Sequence, residues 1–527
     1  MQQYHSLSKK QIFGGLGIYF AIRLFSYFFS PSTPLYAANP INWAASVGIL
    51  LLTFYFLLRR DERGWLIIAA EIILGGAGSF LEIKGISLRT LLLITSMAIF
   101  LYQQYPTLYP SPKRGGTRKG VFIFYLFLLI FLTVAISVFQ GWRFGHATGA
   151  IIADTIPYLF FLYYFPLKQL LSSEQNRQIL FGMLIAAIIG NFIFIYFTLS
   201  GFSSGLFTLQ DSYYHWFRDV AGGKITDYGT GFFRILLNEQ LLLVPIFLWI
   251  FGKTVSSPPF QEPVLSLSKE GAGGGLPSIA SVPQATATPF SLPLGKGEMT
   301  TAFAMTGALL AILTINITRI YLVALAIGIL FLFSVKNWKR WLTYSAAAFI
   351  FFITAFTLTH LAATKGKSFG WEYLGLRLQS IAMPQTEDSS LSRLLLLPKI
   401  LEKIKLHPLL GNGLGDMVTV YSPIFKQNIT TPHFDWGYLE IIAEMGIIGL
   451  MAWILVIGYL ILKITTAHGG VPHHGGKNNK TALAALIGLL VINITSPALF
   501  HVLGVILIVY LLSAHIVCSN NNSNSKN

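Results

Sequence analysis

Long apolar runs separated by short polar stretches dominate the hydrophobic pattern of the chain. Most runs have roughly 17 to 22 residues, the length of helix that crosses about 30 Å of hydrocarbon. The expected fold class is all-α, a polytopic transmembrane helix bundle of about 12–14 spans with a long outer loop containing an amphipathic helix. The runs lie near 12–29, 41–58, 64–81, 86–102, 120–139, 148–166, 178–199, 235–252, 301–317, 320–335, 341–360, 437–462, 481–497 and 499–517.

Positively charged residues alternate from one predicted loop to the next. Cytoplasmic loops of membrane proteins carry an excess of Lys and Arg near the ends of spans. If the N-terminus is cytoplasmic, every second loop is basic, whereas the loops between them, such as 30–40 and 140–147, are poor in these residues. The pattern predicts cytoplasmic termini and two long, charged outer loops, 200–234 and 361–436.

Composition agrees with a membrane setting. Of the 527 residues, 54% are hydrophobic and 11% are charged, whereas globular domains have about 25% charged residues. A soluble multidomain enzyme is therefore excluded. Because the Lys and Arg residues alternate between loops, we interpret the net charge of +16 as a result of membrane topology and contact with membrane lipids. It does not indicate binding of nucleic acid. The single cysteine, Cys518, excludes an intramolecular disulfide and a thiolate metal cluster.

Changes in composition divide the chain into five parts. The segment 253–300 is rich in Ser, Pro, Gly, Thr and Ala, so it is expected to be a disordered cytoplasmic insertion. His468, His473 and His474 lie in a Gly/His stretch without carboxylate or cysteine ligands, so no metal site is predicted. The five parts are N-terminal transmembrane helices 1–252, the insertion 253–300, a domain 301–462 that includes the loop 361–436, C-terminal transmembrane helices 463–518 and a disordered tail 519–527.

The second outer loop contains two ordered motifs. Residues 394–406 place apolar and cationic side chains at helical spacing, which predicts an amphipathic helix on the membrane interface with its cations toward lipid headgroups. His407 then opens the motif His-Pro-Leu-Leu-Gly-Asn-Gly-Leu-Gly. The alternating Gly411, Gly413 and Gly415 predict a tight turn or a close backbone approach, and they do not match the phosphate-binding Walker pattern.

A candidate general base stands at the predicted start of the next span. Thr431 is a favourable N-cap and Pro432 fits the first helical turn, which would place His433 in that turn at the outer surface. A helix N-terminus favours the neutral imidazole that a general base requires, whereas nearby Asp435 favours the charged form. His433 is therefore a candidate catalytic residue, with Asp435 as a supporting residue.

Ionisable side chains inside the predicted spans are costly in lipid and are functional candidates for that reason. Glu440 and Glu444 would share a helix face with His433, where they could orient it, line its cavity or satisfy buried donors. Arg23 and Glu71 are expected to form a structural pair between spans. The remaining candidates are Asp154 and Glu239.

Several arginines are predicted on the same outer face as His433. Arg319 begins a span, Arg393 precedes the amphipathic helix, and Arg218 and Arg234 lie in the first outer loop. Taken singly, each is typical of a cation that snorkels to lipid phosphate. Their convergence favours a diphosphate-binding cluster, because planar guanidinium groups bind phosphate oxygens bidentately.

The order of these motifs resembles the bacterial O-antigen ligase and O-antigen polymerase superfamily. The resemblance covers about 301–462 and includes Arg319, Ser392-Arg393, the 407–415 motif, and His433 followed by the run 438–450. The chain departs from the family at 434–436, where Phe-Asp-Trp replaces the usual Asn or Ser after the histidine. The departure concerns the acceptor side of the site.

The resemblance implies a membrane-embedded C-type glycosyltransferase of the bacterial inner (cytoplasmic) membrane whose active site faces the periplasm. Its donor would be a glycan on undecaprenyl diphosphate and its acceptor a lipid or glycan hydroxyl, without metal, nucleotide sugar or other cofactor. His433 would activate the acceptor hydroxyl, and Arg319 and Arg393 would hold the diphosphate. Arg234 precedes a span, as a further family arginine does.

The expected reaction is that of a ligase, which transfers a finished glycan to an acceptor. A polymerase, which adds the growing chain to another lipid-linked unit, shares these motifs and this chemistry, and so does a protein O-glycosylating member of the superfamily. A polysaccharide flippase or transporter is the alternative from another class. Transporters usually show related halves and broken helices, and the sequence predicts neither.

Overall fold

The computed structural model describes residues 9–30, 39–108, 118–256, 296–383, 388–422, 427–432, 434–466 and 475–524. His433, residues 257–295 of the predicted insertion, residues 467–474 of the Gly/His stretch and residues 525–527 of the predicted tail lie outside the described residues.

The described chain is built from eighteen α-helices. The first ten are α1 (Lys9–Phe29), α2 (Asn39–Leu58), α3 (Arg63–Leu74), α4 (Leu88–Leu108), α5 (Arg118–Arg143), α6 (Thr148–Leu159), α7 (Tyr164–Leu170), α8 (Glu174–Ser204), α9 (Ser212–Asp219) and α10 (Leu243–Ser256). The others are α11 (Lys296–Asn316), α12 (Arg319–Phe331), α13 (Trp338–Ala363), α14 (Trp371–Ala382), α15 (Asp388–Leu406), α16 (Gly437–Thr466), α17 (Gly475–Ile492) and α18 (Val502–Asn524).

The described residues also form three two-stranded antiparallel hairpins. They lie in the connections, where antiparallel strands need only short turns between them. Their strands are β1 (Glu82–Ile83) with β2 (Ile86–Ser87), β3 (Gly223–Asp227) with β4 (Phe233–Leu237), and β5 (Val418–Ser422) with β6 (Gln427–Thr431).

The predicted all-α polytopic bundle is confirmed. Nine helical segments of the described chain are long and apolar enough to cross a membrane, and four shorter apolar helices accompany them. Each of the fourteen predicted runs contains at least one helix. α10 extends to Ser256 and α11 begins at Lys296, so both helices include residues of the segment 253–300, and α18 includes residues of the predicted tail.

The third predicted span is wrong in length. The apolar run 64–81 forms only the 12-residue helix α3, which ends at Leu74. Gly76 and Gly78 follow with positive φ angles of 58° and 87°, a conformation that glycine adopts at low cost and that a helix cannot contain. The run therefore turns back into the β1–β2 hairpin, although its hydropathy is that of a span.

The predicted pair of Arg23 with Glu71 is also wrong. The buried Arg23 side chain pairs with Glu239, with 2.5 Å between Nη2 and Oε1, and donates to the Leu74 carbonyl oxygen at 2.9 Å. Glu71 instead pairs with Arg89 at 2.8 Å. The turn after α3 places the start of α4 beside α3, so that Arg89 pairs with Glu71. Arg23 therefore pairs with Glu239, in the segment that precedes α10.

Glycines allow the central helices to approach closely. α10 packs against both α12 and α17. A Cβ atom on Gly328 of α12 would lie 2.2 Å from Leu248 of α10, and one on Gly488 of α17 would lie 2.9 Å from the same side chain. Small residues at such crossings are the usual means of association between helices in lipid.

The predicted amphipathic helix is confirmed as α15, although its surroundings differ from the prediction. Its Leu396 and Ile400 are buried in a small core with Val418 of β5 and Phe434. Lys403 pairs with Asp416 at 2.6 Å. The helix is therefore held by α16 and the β5–β6 hairpin, and this cation is directed at a protein carboxylate and not at a lipid headgroup.

Candidate active site

Arg234, on β4, binds the junction between two membrane helices. α11 ends at Asn316 and α12 begins at Arg319, and Ile317 between them has a φ of 40°. Arg234 Nε donates to the Asn316 carbonyl oxygen at 2.7 Å, and its Nη2 donates to Thr318 Oγ1 at 2.8 Å. The β3–β4 hairpin is thereby fixed over the start of α12.

Arg319 occupies the first position of α12. A helix N-terminus carries partial positive charge, so a cation there does not stabilise the helix. Its Nη1 donates to Ser380 of α14, at 2.7 Å to Oγ and 3.3 Å to the carbonyl oxygen. Arg319 therefore does not stabilise α12 at this position, and its described contacts link α12 to α14.

A third arginine, Arg377, joins this surface, and the sequence pattern does not predict it as a site residue. Ser380 Oγ donates to its carbonyl oxygen at 2.9 Å, so Arg319 and Arg377 share a contact. The guanidinium is buried and donates to the hydroxyls of Tyr373, at 2.9 Å, and Tyr228 of the hairpin. Burial raises the pKa of Tyr373, so its hydroxyl remains neutral beside the cation.

We call Arg234, Arg319 and Arg377 the arginine cluster. Its members come from β4, α12 and α14, and the contacts through Thr318 and Ser380 link them. Arg218, on α9 of the first predicted outer loop, forms a bidentate pair with its neighbour Asp219, at 2.7 and 3.0 Å, and is half-exposed. The structure thus places Arg234 at the residue before Arg319, links Arg377 to Arg319 through Ser380, and pairs Arg218 with Asp219.

The helix after His433 starts later than predicted. Thr431 is the last residue of β6 and pairs with Val418, and α16 begins at Gly437. The predicted N-cap at Thr431 is therefore wrong, because the strand ladder uses that residue. Asp435 has a φ of 56°, and this left-handed residue turns the chain into the helix.

Residues 434–436, which we call the pre-helix segment, are fixed from two sides. Phe434 is fully buried, and its N–H donates to Glu440 Oε2 at 3.4 Å. Arg393 of α15 lies 3.8 Å from Asp435, measured from Nε to Oδ2, and its carbonyl oxygen accepts from Trp436 Nε1 at 3.3 Å. The segment adjoining His433 is thus held by Glu440 and Arg393.

The residues 407–416, which we call the glycine loop, confirm the prediction of close backbone approach. Gly411, Gly413 and Gly415 have φ angles of 75°, 90° and 77°. A Cβ atom on Gly413 would lie 2.0 Å from the backbone nitrogen of Gly141, and one on Gly411 would lie 2.3 Å from the Glu444 carbonyl carbon. His407 is exposed and stacks on Phe144, with ring centroids 4.8 Å apart.

The glycine loop fills a break in α16. Gly446 has a φ of 68° and interrupts the helix, contrary to the expectation that the span would be continuous. The Asn412 and Gly413 N–H groups donate to the carbonyl oxygens of Ala443 and Glu444 at 2.7 and 2.9 Å. Beyond the break, Ile447 N–H donates to Pro408 O at 2.9 Å. The loop therefore satisfies backbone groups that lipid could not.

Gly413→Ala is expected to destabilise the protein by at least about 3 kcal/mol, because the new Cβ would strain a left-handed residue and collide with backbone atoms of α5. Thermal unfolding in detergent would measure the change. Gly458→Ala is the matched control, since nothing lies within 4 Å of its added Cβ. Equal midpoints for the two variants would contradict the packing role of the glycine loop.

Residues 303–454 match the family model described as O-Antigen ligase. The matched segment contains Arg319, Arg377, Arg393, the glycine loop and the pre-helix segment, whereas Arg234 lies outside it. This match agrees with the resemblance drawn from the motifs. Searches of curated proteins and of solved structures gave no match.

Proposed function

We propose that the protein is a glycosyltransferase that moves a glycan from undecaprenyl diphosphate to an acceptor hydroxyl at the periplasmic face of the inner membrane. The observation that carries the proposal is the arginine cluster within and beside the O-antigen ligase segment. The Arg234 guanidinium binds Thr318, which precedes Arg319, and the Arg319 guanidinium binds Ser380, which also donates to the Arg377 carbonyl oxygen. A diphosphate leaving group requires such a concentration of fixed positive charge.

Arg393 is proposed as the fourth donor contact. It lies beside the pre-helix segment, and its Nε has no hydrogen-bond partner among the described residues. The distance from Arg393 Nε to Asp435 Oδ2 is 3.8 Å, which is longer than a hydrogen bond, so the guanidinium retains donors for a phosphate oxygen. Arg393 would therefore connect the diphosphate to the residues adjoining His433.

His433 is proposed as the general base. Its imidazole would take the proton of the acceptor hydroxyl while that oxygen forms a bond to the anomeric carbon of the glycan. The bond from this carbon to the diphosphate oxygen breaks, and the electron pair leaves with the diphosphate. Displacement in line inverts the anomeric centre, and the arginines stabilise the charge that develops on the leaving group.

The break in α16 favours one competing function, since discontinuous helices are typical of transporters. In this chain, however, the backbone groups on both sides of Gly446 are bonded to the glycine loop. A substrate site at a broken helix uses such groups to bind substrate or ion. The occupied break therefore favours the transferase, and the transporter becomes one outcome of the test.

Reconstitution separates these functions. Purified protein is incubated with a glycan on undecaprenyl diphosphate and either a lipid A core or a second lipid-linked unit, and the products are separated by size. We expect one transferred block on the lipid acceptor, as a ligase gives. A ladder of products would identify a polymerase. Translocation in vesicles without any transfer would overturn the proposal in favour of a transporter.

A further inference from the structure

An apolar cavity of about 230 Å³ lies between helices α3, α7, α8, α10, α17 and α18. No member of the arginine cluster is part of its wall, and Glu174 and Arg177 are the charged residues that line it. Apolar cavities stay dry: an engineered cavity of about 150 Å³ lined by Leu, Ile and Phe excludes water and binds benzene. A larger cavity of this kind within a helix bundle is therefore suited to an apolar ligand.

The depth of the cavity is close to that of one bilayer leaflet. Along α3 its wall extends from Trp65 to Ile73, which is a rise of about 12 Å at 1.5 Å per residue. One leaflet supplies about 15 Å of hydrocarbon, half of the usual 30 Å. Trp65 lies in the first turn of α3, directly after a loop that is predicted to be cytoplasmic. The cavity thus has the length of an acyl chain in the predicted cytoplasmic leaflet.

The wall contributed by α8 changes from apolar to charged at one end. Leu184, Phe181, Leu180 and Arg177 all line the cavity, and their spacing places them on one face of the helix. Arg177 is nearest to the start of α8, at the predicted cytoplasmic end, and its side chain is 15% exposed. The apolar face therefore ends at a cation where lipid headgroups are expected.

Arg177 retains hydrogen-bond donors for a ligand. Its Nη2 pairs with Glu174, and its Nη1 donates to the Leu171 carbonyl oxygen at 3.2 Å. A guanidinium carries more N–H donors than these two contacts use. The Glu174 side chain is 55% exposed, and an ion pair with such an exposed partner is weak. Arg177 is therefore suited to bind a phosphate group.

α10 adds a second cation and an unused donor. Pro245, Ile246 and Trp249 line the cavity, and Lys253 continues the same helix face toward the predicted cytoplasmic side. Lys253 Nζ lies 4.4 Å from the centroid of the Trp249 ring. Trp249 Nε1 is buried and has no hydrogen-bond partner among the described residues. A buried N–H without an acceptor is costly, so this indole indicates a ligand that carries one.

We propose that the cavity binds an acyl chain of an anionic glycerophospholipid, such as phosphatidylglycerol, from the predicted cytoplasmic leaflet. Arg177 and Lys253 supply positive charge for its phosphate, and a lipid oxygen accepts from Trp249. Basic pockets between transmembrane helices on the cytoplasmic side bind anionic lipid headgroups in other proteins. The site is separate from the arginine cluster, and it does not depend on the proposed function.

Binding of phosphatidylglycerol to the delipidated full-length protein tests the charged end of the site. Native mass spectrometry gives the Kd, and zwitterionic phosphatidylethanolamine is the comparison lipid, which we expect to bind more weakly. Arg177→Gln should raise the Kd for phosphatidylglycerol about fivefold, the effect of one cation near an anionic lipid surface. Arg59→Gln is the matched control and should leave the Kd unchanged, since Arg59 is exposed and lies over Tyr55.

Ala69→Phe tests the apolar part of the site. Ala69 of α3 lines the cavity, and a phenyl ring there would occupy the space of the acyl chain. We expect A69F to lose the high-affinity binding of phosphatidylglycerol and the rise in unfolding midpoint that this lipid gives the wild-type protein. Ala347→Phe is the control, since Ala347 is exposed on α13. If A69F fails to fold, Leu184→Trp is judged by the same measurements.

Three results would overturn the site. The same Kd for phosphatidylglycerol in the wild-type protein and in folded A69F would place the lipid elsewhere. Equal binding of the two phospholipids, or an unchanged Kd in R177Q, would remove the recognition of an anionic headgroup. Displacement of the bound phospholipid by undecaprenyl phosphate would assign the cavity to a polyprenyl chain. Because these measurements involve no glycan transfer, their failure leaves the proposed function intact.

Discussion

Replacing His433 by alanine is expected to abolish glycan transfer, with kcat lowered by at least about 1,000-fold, because general base catalysis contributes roughly 10² to 10⁴ in rate. Binding of the donor should persist, since the arginine cluster and Arg393 are the residues proposed to contact the diphosphate, whereas His433 is proposed to act on the acceptor hydroxyl. Single-turnover transfer from a lipid-linked glycan gives the rate, and binding of undecaprenyl diphosphate gives the donor affinity.

His215→Ala serves as the matched control for this measurement. His215 lies on α9, in the first predicted outer loop, and has no place in the proposed chemistry, so its removal should leave transfer within about twofold, as ordinary surface substitutions do. Full activity of H433A would exclude the base assignment. Loss of donor binding together with activity would show instead that His433 holds the diphosphate or the fold.

Much of the fold follows from the physics of the bilayer, because helices of about 20 apolar residues are the simplest way to satisfy backbone groups in lipid. The exception, α3, is instructive. Its run 64–81 has the hydropathy of a span, but Gly76 and Gly78 adopt conformations that end a helix. Hydropathy measures affinity for lipid, and it does not register where the backbone must turn.

The glycine loop and the break in α16 show the limits of local patterns. Alternating glycines predict an unusual backbone directly, because few other residues adopt positive φ. Gly446, by contrast, lies in an apolar run, where one glycine costs a helix only about 1 kcal/mol. The break is stable because the loop near Pro408 supplies hydrogen-bond partners, and such a distant partner has no signature in the residues around Gly446.

The partners of the buried charges are equally hard to predict from local patterns. The predicted location of Arg23 and Glu71 inside two spans favours a pair between them, yet their partners are Glu239 and Arg89. Similarly, Thr431 has the properties of an N-cap, but pairing with β5 competes for it. In both cases the competing contact comes from a distant part of the chain.

One weak signal in the sequence points to Arg377. Tyr373 precedes it by four residues and Ser380 follows it by three, so all three share one face of a helix. The helix itself, α14, lies in a charged loop that is predicted to be outer, and it is too polar for the pattern of apolar runs to predict. The contacts of Arg377 with Tyr228 and Ser380 distinguish it from the other cations of the segment 361–436.

Arg319→Lys is expected to weaken binding of undecaprenyl diphosphate about 10- to 100-fold, because an ammonium group cannot reproduce the bidentate contact of a guanidinium with phosphate oxygens. The fold should be preserved, since lysine can still donate to Ser380. Arg218→Lys distinguishes the prediction from sequence from the prediction from structure. The sequence pattern predicts a similar loss of donor affinity, whereas the pairing of Arg218 with Asp219 predicts almost no loss.

Arg63→Lys completes this comparison as a neutral control. Arg63 also pairs with a neighbouring aspartate, Asp61, at an exposed site, and it lies in a loop predicted to be cytoplasmic. Titration with undecaprenyl diphosphate should therefore order the dissociation constants with R319K far above R218K and R63K. Tight binding by R319K together with weak binding by R218K would reject the arginine cluster as the donor site, because the charge that holds the diphosphate would then belong to α9.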